Sequence, residues 1–353
     1  MDKVLMKGNE AIAEAAIRAG CRHFYGYPIT PQTEVSAYMA KNMPKVGGLF
    51  MQAESEIAAI NMVYGSAAAG VRAMTSSSSP GISLKAEGIS YMAGADLPCV
   101  ILNIVRGGPG LGGIQPAQSD YFQATKGLAH GDFNLVVLAP SSIQECVDLT
   151  LEAFDIADQY RMPVMIMGDG MLGQMMEPVA FGEYKGRDLK EKTWATNGTG
   201  LKREHNVVNS LYIDPDTLEK TVLARDKMYE EIKENEVKYE AEGIEDADII
   251  MVAYGTIGRI VKNAIKMARE EGIKVGLIRP ITLWPFPTKI INKAADTAKA
   301  FISVEMSTGQ MVEDVMIAVN GKAKVDFTGR TGGVIPTPKE ILEKIREVAG
   351  GIK

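Results

Sequence analysis

Short apolar runs alternate with helical segments along the first half of the chain. The run Cys99–Val105 is almost wholly apolar, and the segment after Leu135–Leu138 opens with Ser142 and Glu145 at the spacing of a helix capping box. Strands separated by helices of this length form a parallel sheet that is covered by helices on both faces. The sequence therefore predicts an α/β fold, in which ligands bind beyond the carboxyl ends of the strands.

The charge pattern divides the chain into three parts. Residues 183–243 are rich in charged side chains, and within them Asp216–Tyr239 is typical of an exposed helix. We therefore predict a first domain over residues 1–182, a charged connector over residues 183–243, and a smaller α/β domain over residues 244–353. In that last part, strands are expected at Ile249–Ala253, Lys274–Ile278 and Ala300–Val304.

The composition excludes several classes of protein. Hydrophobic residues make up 46% of the 353 residues, and the net charge of -6 gives no attraction to nucleic acid or to an anionic membrane. No apolar run approaches the roughly 20 residues that span a bilayer. The charged start, Met1–Gly8, does not resemble a signal peptide, so we expect a cytoplasmic protein. The three cysteines lie far apart, and we expect neither zinc nor an iron–sulfur cluster in this chain.

Candidate site residues follow the first two predicted strands. Tyr27-Pro28-Ile29-Thr30-Pro31 contains two prolines that fix the backbone around Thr30, whose hydroxyl either contacts a substrate or caps the next helix. Glu54 and Glu56 begin the helix after the second strand. A carboxylate at that place either interacts with the helix dipole or, if it is partly buried, holds and passes a proton.

Arg106 follows the apolar strand and precedes a glycine-rich loop. Gly108–Gly113 fits G-x-G-x-x-G, but Ile114-Gln115-Pro116 interrupts the helix that a dinucleotide fingerprint needs. A mobile loop that places Arg106 against a carboxylate fits better, because arginine pairs with carboxylates through two hydrogen bonds.

Gly168-Asp169-Gly170 is similar to the start of the thiamin-diphosphate motif that binds Mg²⁺ and the diphosphate. The paired asparagines of the full motif are absent, since the corresponding region has only Asn197. We therefore predict that Asp169 belongs to a strand-end turn, and that this chain holds neither the diphosphate nor its metal.

Several stretches together resemble the 2-oxoacid:ferredoxin oxidoreductases, in particular their alpha-type, pyrimidine-domain subunit. In chain order they are Tyr27–Pro31, Glu54–Gly70, Thr75–Gly81, Arg106–Gly113, Gln118–Asp120, Arg279–Pro287 and Glu305–Gln310. Each motif is short, but the combination is specific and covers nearly the whole chain. The serine-rich Thr75–Gly81 favours the enzymes that act on branched-chain 2-oxoacids such as 3-methyl-2-oxobutanoate, with the 2-oxoglutarate enzymes as the alternative.

The resemblance implies a fold and a division of labour. The fold is a pyrimidine-type thiamin-diphosphate domain followed by a domain similar to the C-terminal domain of transketolases. Thiamin diphosphate is shared with a diphosphate-binding subunit that supplies Mg²⁺ and a [4Fe–4S] cluster, and gamma-type and ferredoxin-like subunits complete the complex. Coenzyme A takes the acyl group and ferredoxin takes the electrons, so the chain is expected to be inactive alone.

The resemblance also assigns residues. Glu56 matches the catalytic glutamate, whose carboxyl hydrogen-bonds the aminopyrimidine ring, while Thr30 and Arg106 match positions near the keto and carboxylate groups of the substrate. Tyr27, Pro28 and Ile29 match cofactor-binding positions, and Gln118 and Asp120 match the family pattern without an assigned role. A scaffold with a degenerate thiamin fold is the alternative from another class, and the joint presence of Thr30, Glu56 and Arg106 argues against it.

Overall fold

A seven-stranded sheet forms the centre of the first domain in this computed structural model, which describes residues 3–352. Six of its strands are parallel: β2 (His23–Gly26), β3 (Leu49–Gln52), β4 (Ala73–Ser77), β5 (Cys99–Val105), β6 (Val136–Leu138) and β7 (Pro163–Asp169). They lie in the order β3-β2-β4-β5-β7-β6. The predicted parallel sheet is confirmed.

Helices follow these strands and cover both faces of the sheet. They are α1 (Gly8–Arg18), α2 (Thr33–Asn42), α3 (Glu56–Ala68), α4 (Pro80–Gly94), α5 (Tyr121–Thr125), α6 (Ile143–Tyr160) and α7 (Gly170–Gln174). The capping box predicted for α6 is half formed. Ser142 accepts a hydrogen bond from Glu145 N, but the Glu145 side chain bonds Ser141 N and Arg279 instead.

The core lies on both faces of the sheet, as the strand β5 illustrates. Its residues Val100, Leu102 and Ile104 pack into the cluster that holds α1 and α6, whereas Ile101 and Val105 pack into the cluster that holds α3 and α4. A strand buried on both faces must be apolar throughout, and this explains the run that the sequence shows.

A second sheet of five strands follows the connector. It has the order β14-β13-β10-β11-β9, and all its strands are parallel except β9. The strands are β9 (Tyr239–Glu242), β10 (Ile249–Val252), β11 (Val275–Pro280), β13 (Ala300–Glu305) and β14 (Lys324–Gly329). The helices around it are α9 (Gly255–Glu270), α10 (Thr288–Ala294), α11 (Met311–Val319) and α12 (Pro338–Gly351).

The predicted connector contains the helix α8 (Pro215–Asn235), which agrees with the exposed helix expected there. The last residues of the connector form β9, which pairs with β11 and so belongs to the second sheet. In turn β12 (Thr282–Trp284) extends from the second domain and pairs antiparallel with β6 of the first sheet. The boundaries at residues 182 and 243 remain predictions.

A small antiparallel pair, β1 (Val4–Lys7) and β8 (Met176–Val179), completes the first domain. Neither strand was predicted from the sequence, and the two pair with each other although about 170 positions separate them. Within residues 3–352, none of the helices has the length and apolar character to cross a membrane.

Polar contacts join the two domains. Gln118 Nε2 donates to Tyr254 O at 3.0 Å, and Met306 N donates to Gln118 Oε1 at 3.0 Å. Arg279 Nη2 donates to Glu145 Oε1 at 2.6 Å across the same boundary. The role that Gln118 lacked in the sequence is therefore a structural one: it bonds two backbone groups of the second domain.

Candidate active site

The predicted site residues follow four strands that are neighbours in the first sheet. These strands, in the order β5, β4, β2 and β3, are parallel, so their carboxyl ends meet at one edge. From β5 to β3 that edge carries Arg106, the turn Ser78–Gly81, the segment Tyr27–Thr30, and Glu56. The strand order thus brings together residues that are up to about 80 positions apart in the sequence.

Glu56 is the first residue of α3, and only 5% of its surface is exposed. Ser55 caps the helix, because its side chain accepts a hydrogen bond from Ala58 N at 3.1 Å. Glu54, by contrast, is exposed. Of the two glutamates, Glu56 is the buried one, and the capping of α3 does not require its carboxyl.

The carboxyl of Glu56 lies against the first turn of α4. A Cβ atom at position 81 would lie 2.7 Å from Glu56 Oε1 and 2.0 Å from Ser77 Oγ. Glycine at position 81 is therefore required for this close approach. The first turn of α4 packs closely against the Glu56 carboxyl, and any side chain at position 81 would clash with it.

Several buried polar atoms at this edge have no hydrogen-bond partner among residues 3–352. They are Ser77 Oγ, Ser78 Oγ, Lys85 Nζ and Arg106 Nε. Buried polar atoms are nearly always paired in folded proteins, and each unpaired one costs about 1–3 kcal/mol. We call these four atoms the unpaired cluster, and water or a bound molecule would have to supply their partners.

Arg106 and Thr30 are in direct contact. Arg106 Nη1 donates to Thr30 O at 2.9 Å, and the arginine is 9% exposed. Thr30 itself is exposed, as are Tyr27 and Pro28, while Ile29 is half-buried. The contact uses the backbone of Thr30, so the segment Tyr27–Thr30 still presents side chains at the edge.

Three residues that sequence reasoning left without a role hold Arg106 in place. Arg106 N donates to Ser79 Oγ at 3.0 Å, and Ser79 N donates to Asn103 Oδ1 at 3.1 Å. Asn103 Nδ2 in turn donates to Asp120 Oδ2 at 3.0 Å. Burial raises the pKa of the Asp120 carboxyl, and the bond from Asn103 opposes that shift. The sequence contained one sign of this network, because Asn103 interrupts an otherwise apolar run.

The glycine-rich loop after Arg106 closes on itself. Gly107 N donates to Gln115 O at 3.2 Å, and Gly113 N donates to Gly107 O at 2.9 Å. The next helix in this stretch is α5, which begins at Tyr121. The dinucleotide interpretation of Gly108–Gly113 is therefore wrong, because that fingerprint needs a helix that opens within the glycines.

Asp169 ends β7 and caps α7. Its Oδ1 accepts from Met171 N at 2.9 Å and from Leu172 N at 3.0 Å, and its Oδ2 accepts from the Thr256 hydroxyl of the second domain. Burial raises the pKa of this carboxyl. Both oxygens are used within the chain. Asp169 lies at the strand end as predicted, but it caps the short helix α7, whereas the sequence predicted a turn. Over the described range 3–352, no three His, Cys, Asp or Glu side chains are grouped so as to hold a metal ion.

Two family descriptions match the chain. Residues 14–241 match the thiamine diphosphate-binding domain of pyruvate flavodoxin/ferredoxin oxidoreductases, and residues 247–341 match core domain II of pyruvate:ferredoxin oxidoreductase. The chain belongs to the 2-oxoacid:ferredoxin oxidoreductase family. The resemblance drawn from the short motifs is confirmed, and with it the presence of a thiamine diphosphate-binding domain.

Individual relatives are similar over almost their whole length. Ketoisovalerate oxidoreductase subunit VorB of Methanothermobacter thermautotrophicus is 51% identical over 346 residues, which cover 98% of each chain. The 2-oxoglutarate synthase subunit KorA of the same organism is 36% identical over 386 aligned positions, again with 98% of each chain covered. The names of these relatives describe them as subunits. This chain is therefore one subunit of a larger oxidoreductase.

Solved structures of this fold include a 2-oxoglutarate:ferredoxin oxidoreductase from Magnetococcus marinus. It is 28% identical with a TM-score of 0.85, and the match covers 98% of this chain and 65% of that one. A split-gene transketolase, 14% identical with a TM-score of 0.62 over 99% of both chains, shares the fold alone. The predicted fold class, a pyrimidine-type thiamin domain with a transketolase-like second domain, is confirmed.

Proposed function

We propose that this chain is the pyrimidine-binding subunit of a thiamin-diphosphate-dependent oxidoreductase that acts on a branched-chain 2-oxoacid such as 3-methyl-2-oxobutanoate. The products are an acyl-CoA and CO₂, and the two electrons released pass to ferredoxin. The observation that carries this proposal is the 51% identity to a ketoisovalerate oxidoreductase subunit across nearly the whole of both chains, against 36% for the 2-oxoglutarate synthase subunit.

Glu56 suits the pyrimidine end of the cofactor. Bound thiamin diphosphate supplies the carbon nucleophile for the keto group and accepts the electrons that remain after CO₂ leaves. The carboxyl of Glu56 is buried, and Gly81 lets the backbone of α4 approach it closely. We assign this carboxyl to a ring nitrogen of the pyrimidine, with which a carboxyl can share a proton through a hydrogen bond. Tyr27, Pro28 and Ile29 border the same edge and complete the proposed cofactor contacts.

Arg106 and Thr30 are suited to bind the carboxylate and keto groups of the substrate. The guanidinium is held against Thr30 by a hydrogen bond, and its Nε has no partner within the described part of the chain. Arginine suits a carboxylate because its planar donors can bond both carboxylate oxygens at once. We assign Arg106 to the carboxylate and the hydroxyl of Thr30 to the keto oxygen.

The glycine-rich loop supports an aliphatic substrate. Leu111 is 82% exposed and Ile114 is 56% exposed, and residues 107–117 contain no cationic side chain. The loop lies beside the Thr30 segment, because a Cβ atom at Gly170 would lie 3.2 Å from Pro31 Cγ and 3.6 Å from Ile114 O. A second carboxylate, as in 2-oxoglutarate, would need a cation here, whereas a branched alkyl group needs apolar contacts.

Further subunits hold the remaining groups in this proposal. The partner that binds the diphosphate also carries Mg²⁺ and a [4Fe–4S] cluster, while gamma-type and ferredoxin-like subunits complete the path from coenzyme A to ferredoxin. Two features of this chain support that division. The oxygens of Asp169 are used internally. Burial raises the pKa of Cys21 to about 12, which disfavours the thiolate form that iron requires.

A substrate panel tests the proposal. The complex is purified from the native source or reconstituted with its companion subunits, and viologen reduction is followed with 3-methyl-2-oxobutanoate, pyruvate and 2-oxoglutarate. We expect the branched-chain acid to have a kcat/KM at least about tenfold above the others. A preference for 2-oxoglutarate would contradict the assigned substrate, and a rate indifferent to Glu56 would favour the scaffold alternative.

A further inference from the structure

Three side chains from different parts of the first domain hold the backbone of the turn at Thr30 and Pro31. Asn9 of α1 donates from Nδ2 to Pro31 O at 2.9 Å, and Gln174 of α7 donates from Nε2 to the same oxygen at 3.1 Å. Arg106, which follows β5, donates to Thr30 O at 2.9 Å. Two successive carbonyl groups are therefore fixed, while Thr30 itself is exposed.

A carboxylate orients the two amide side chains. Glu34, in the first turn of α2, accepts at Oε2 from Asn9 Nδ2 at 2.9 Å and from Gln174 Nε2 at 2.9 Å. Burial acts to raise the pKa of the Glu34 carboxyl, but hydrogen bonds from its own backbone amide, from Asn9, from Gln174 and from Lys7 outweigh that effect and lower it. Each amide nitrogen thus bridges two acceptors. We call Asn9, Glu34 and Gln174 the amide clamp.

Packing alone does not explain Asn9. This residue is 0% exposed, and its Oδ1 has no hydrogen-bond partner within residues 3–352. A buried amide oxygen without a partner destabilises a fold, and a leucine of similar size and shape would avoid that cost. The amide nitrogen of Asn9, by contrast, has two partners. The donor groups are therefore the feature that an apolar residue at position 9 could not replace.

Two glycines let α1 and α7 come close enough to form the clamp. A Cβ atom at Gly173 would lie 2.6 Å from Asn9 Oδ1, and a Cβ atom at Gly8 would lie 2.0 Å from Leu172 O. No other residue type fits at these contacts without a shift of the backbone or of Asn9. The clamp thus belongs to a tightly packed pair of helices, which gives the Pro31 carbonyl a fixed position.

We propose that Asn9 and Gln174 are positioning residues for Thr30: by holding the Pro31 carbonyl they direct the Thr30 hydroxyl toward the keto oxygen of the substrate. The inference rests on the proposed function, in which Thr30 binds that oxygen. A hydroxyl on a segment that is already ordered binds its partner without a further loss of conformational entropy. Neither amide touches the substrate, because both nitrogens are used by Pro31 and Glu34.

The kcat/KM of the assembled complex for 3-methyl-2-oxobutanoate tests this role. Asn9→Leu keeps the approximate size of the side chain and removes both donors. We expect kcat/KM to fall by about tenfold, because a slightly misplaced hydroxyl loses most of its hydrogen bond to the keto oxygen. Asn292→Leu is the matched control, since Asn292 Nδ2 donates to Ala318 O at 2.8 Å in the second domain. The control should leave kcat/KM unchanged.

A double-mutant cycle separates positioning from a purely structural role. Thr30→Val removes the hydroxyl at nearly constant size. In that background Asn9→Leu should change kcat/KM by less than about twofold, because the hydroxyl that it positions is gone. Gln174→Ala should follow the same pattern. The same tenfold loss in both backgrounds would overturn the inference, because Asn9 would then act on the complex by another route.

The outcomes separate this inference from the proposed function. A wild-type complex that reduces viologen with none of the 2-oxoacids defeats the proposed function. An active wild type whose kcat/KM is unaffected by Asn9→Leu overturns the positioning role and leaves the proposed function intact. A Thr30→Val complex with the kcat/KM of the wild type contradicts the assignment of Thr30 to the keto oxygen, and the positioning role is overturned with it.

Hydrogen exchange of the full chain gives a second measurement, which decides the matter if Asn9→Leu prevents assembly of the complex. Backbone amides of residues 27–35 should exchange about fivefold faster in Asn9→Leu than in the wild type, because one of the bonds that hold the turn is lost. Amides of α10 in the second domain should exchange at an unchanged rate. Equal exchange of residues 27–35 in the two proteins would overturn the inference.

Discussion

Two buried glutamates lie at the carboxyl edges of the two sheets, and their surroundings differ. Glu305 ends β13, precedes α11, and is 0% exposed. It accepts five hydrogen bonds of 2.9–3.0 Å, from Ser303 Oγ, Ser307 Oγ, Gln310 N, Met311 N and Val312 N. Glu56 begins α3, where Ser55 makes the cap, and its carboxyl faces Gly81 and the unpaired cluster.

The difference shows that a strand-end carboxylate is not by itself a site. The same residue type in the same topological place becomes a structural anion when the chain supplies its donors, as at Glu305. At Glu56, Ser55 makes the cap and nearby polar atoms stay unpaired, which leaves the carboxyl available for the role that we propose for it. The hydrogen bonds made at the two glutamates therefore distinguish them better than their burial does.

The largest effect is expected for Glu56→Gln. In the reconstituted complex, kcat for viologen reduction should fall by about 10²–10⁴-fold, because an amide cannot share a proton with the ring of the cofactor. The complex should still assemble, which size-exclusion chromatography checks. A normal rate in a fully assembled complex would show that Glu56 has no role in the mechanism. The proposed functional difference between Glu56 and Glu305 would then be wrong.

Glu305→Gln should lower the stability of the chain and leave most of the activity intact. The amide directs hydrogens toward groups that already donate, so the free energy of unfolding should fall by about 2–4 kcal/mol. Urea denaturation of the full chain measures this, and the variant that still assembles should retain most of its kcat. If Glu305→Gln proves as stable as Glu56→Gln, the proposed distinction between the two glutamates is lost.

Arg106→Ala should act mainly on substrate binding. Loss of a charged hydrogen bond to the oxoacid carboxylate should raise KM by about 10–100-fold, with a smaller change in kcat. Steady-state kinetics with the best oxoacid measures the split. Arg346→Ala is the control, since Arg346 forms an exposed ion pair with Glu271. An unchanged KM in the Arg106 variant would contradict its assignment to the substrate.

The smallest effect is expected at the domain contact. Gln118→Ala leaves the buried carbonyl of Tyr254 and amide of Met306 without the partner they have now, at a cost of about 1–2 kcal/mol in unfolding free energy. KM should be almost unchanged, because these groups belong to the interface between the domains. A large rise in KM with normal stability would place Gln118 in the site rather than beside it.

Much of the fold could be predicted because it depends on local patterns. The apolar strands β5, β7 and β10 are buried on both faces, and the helices between them carry their own caps and stops. Short elements were missed. Neither β9 nor β12 was predicted, and each pairs with a strand from another part of the chain.

The location of the candidate site residues at one edge of the sheet was predicted for a similar reason, while their roles remain predictions. Thr30, Glu56 and Arg106 follow predicted parallel strands, and the matched motifs named them. Asn103 and Lys85 were missed, because each is a lone polar residue whose meaning depends on the element packed against it. The sequence does not say that α4 lies on α3 in the register that places Gly81 against Glu56.

By itself the sequence determined the fold class, the family and the strand ends at which polar residues gather, because these follow from local periodicity and from short motifs in a constant order. The tertiary structure alone decided which of those polar groups are satisfied. Asp169 and Glu305 find donors in their own chain, whereas the unpaired cluster finds no partners among the described residues. The physical reason is that hydrogen bonds between distant segments depend on how helices and strands pack, which no local pattern encodes.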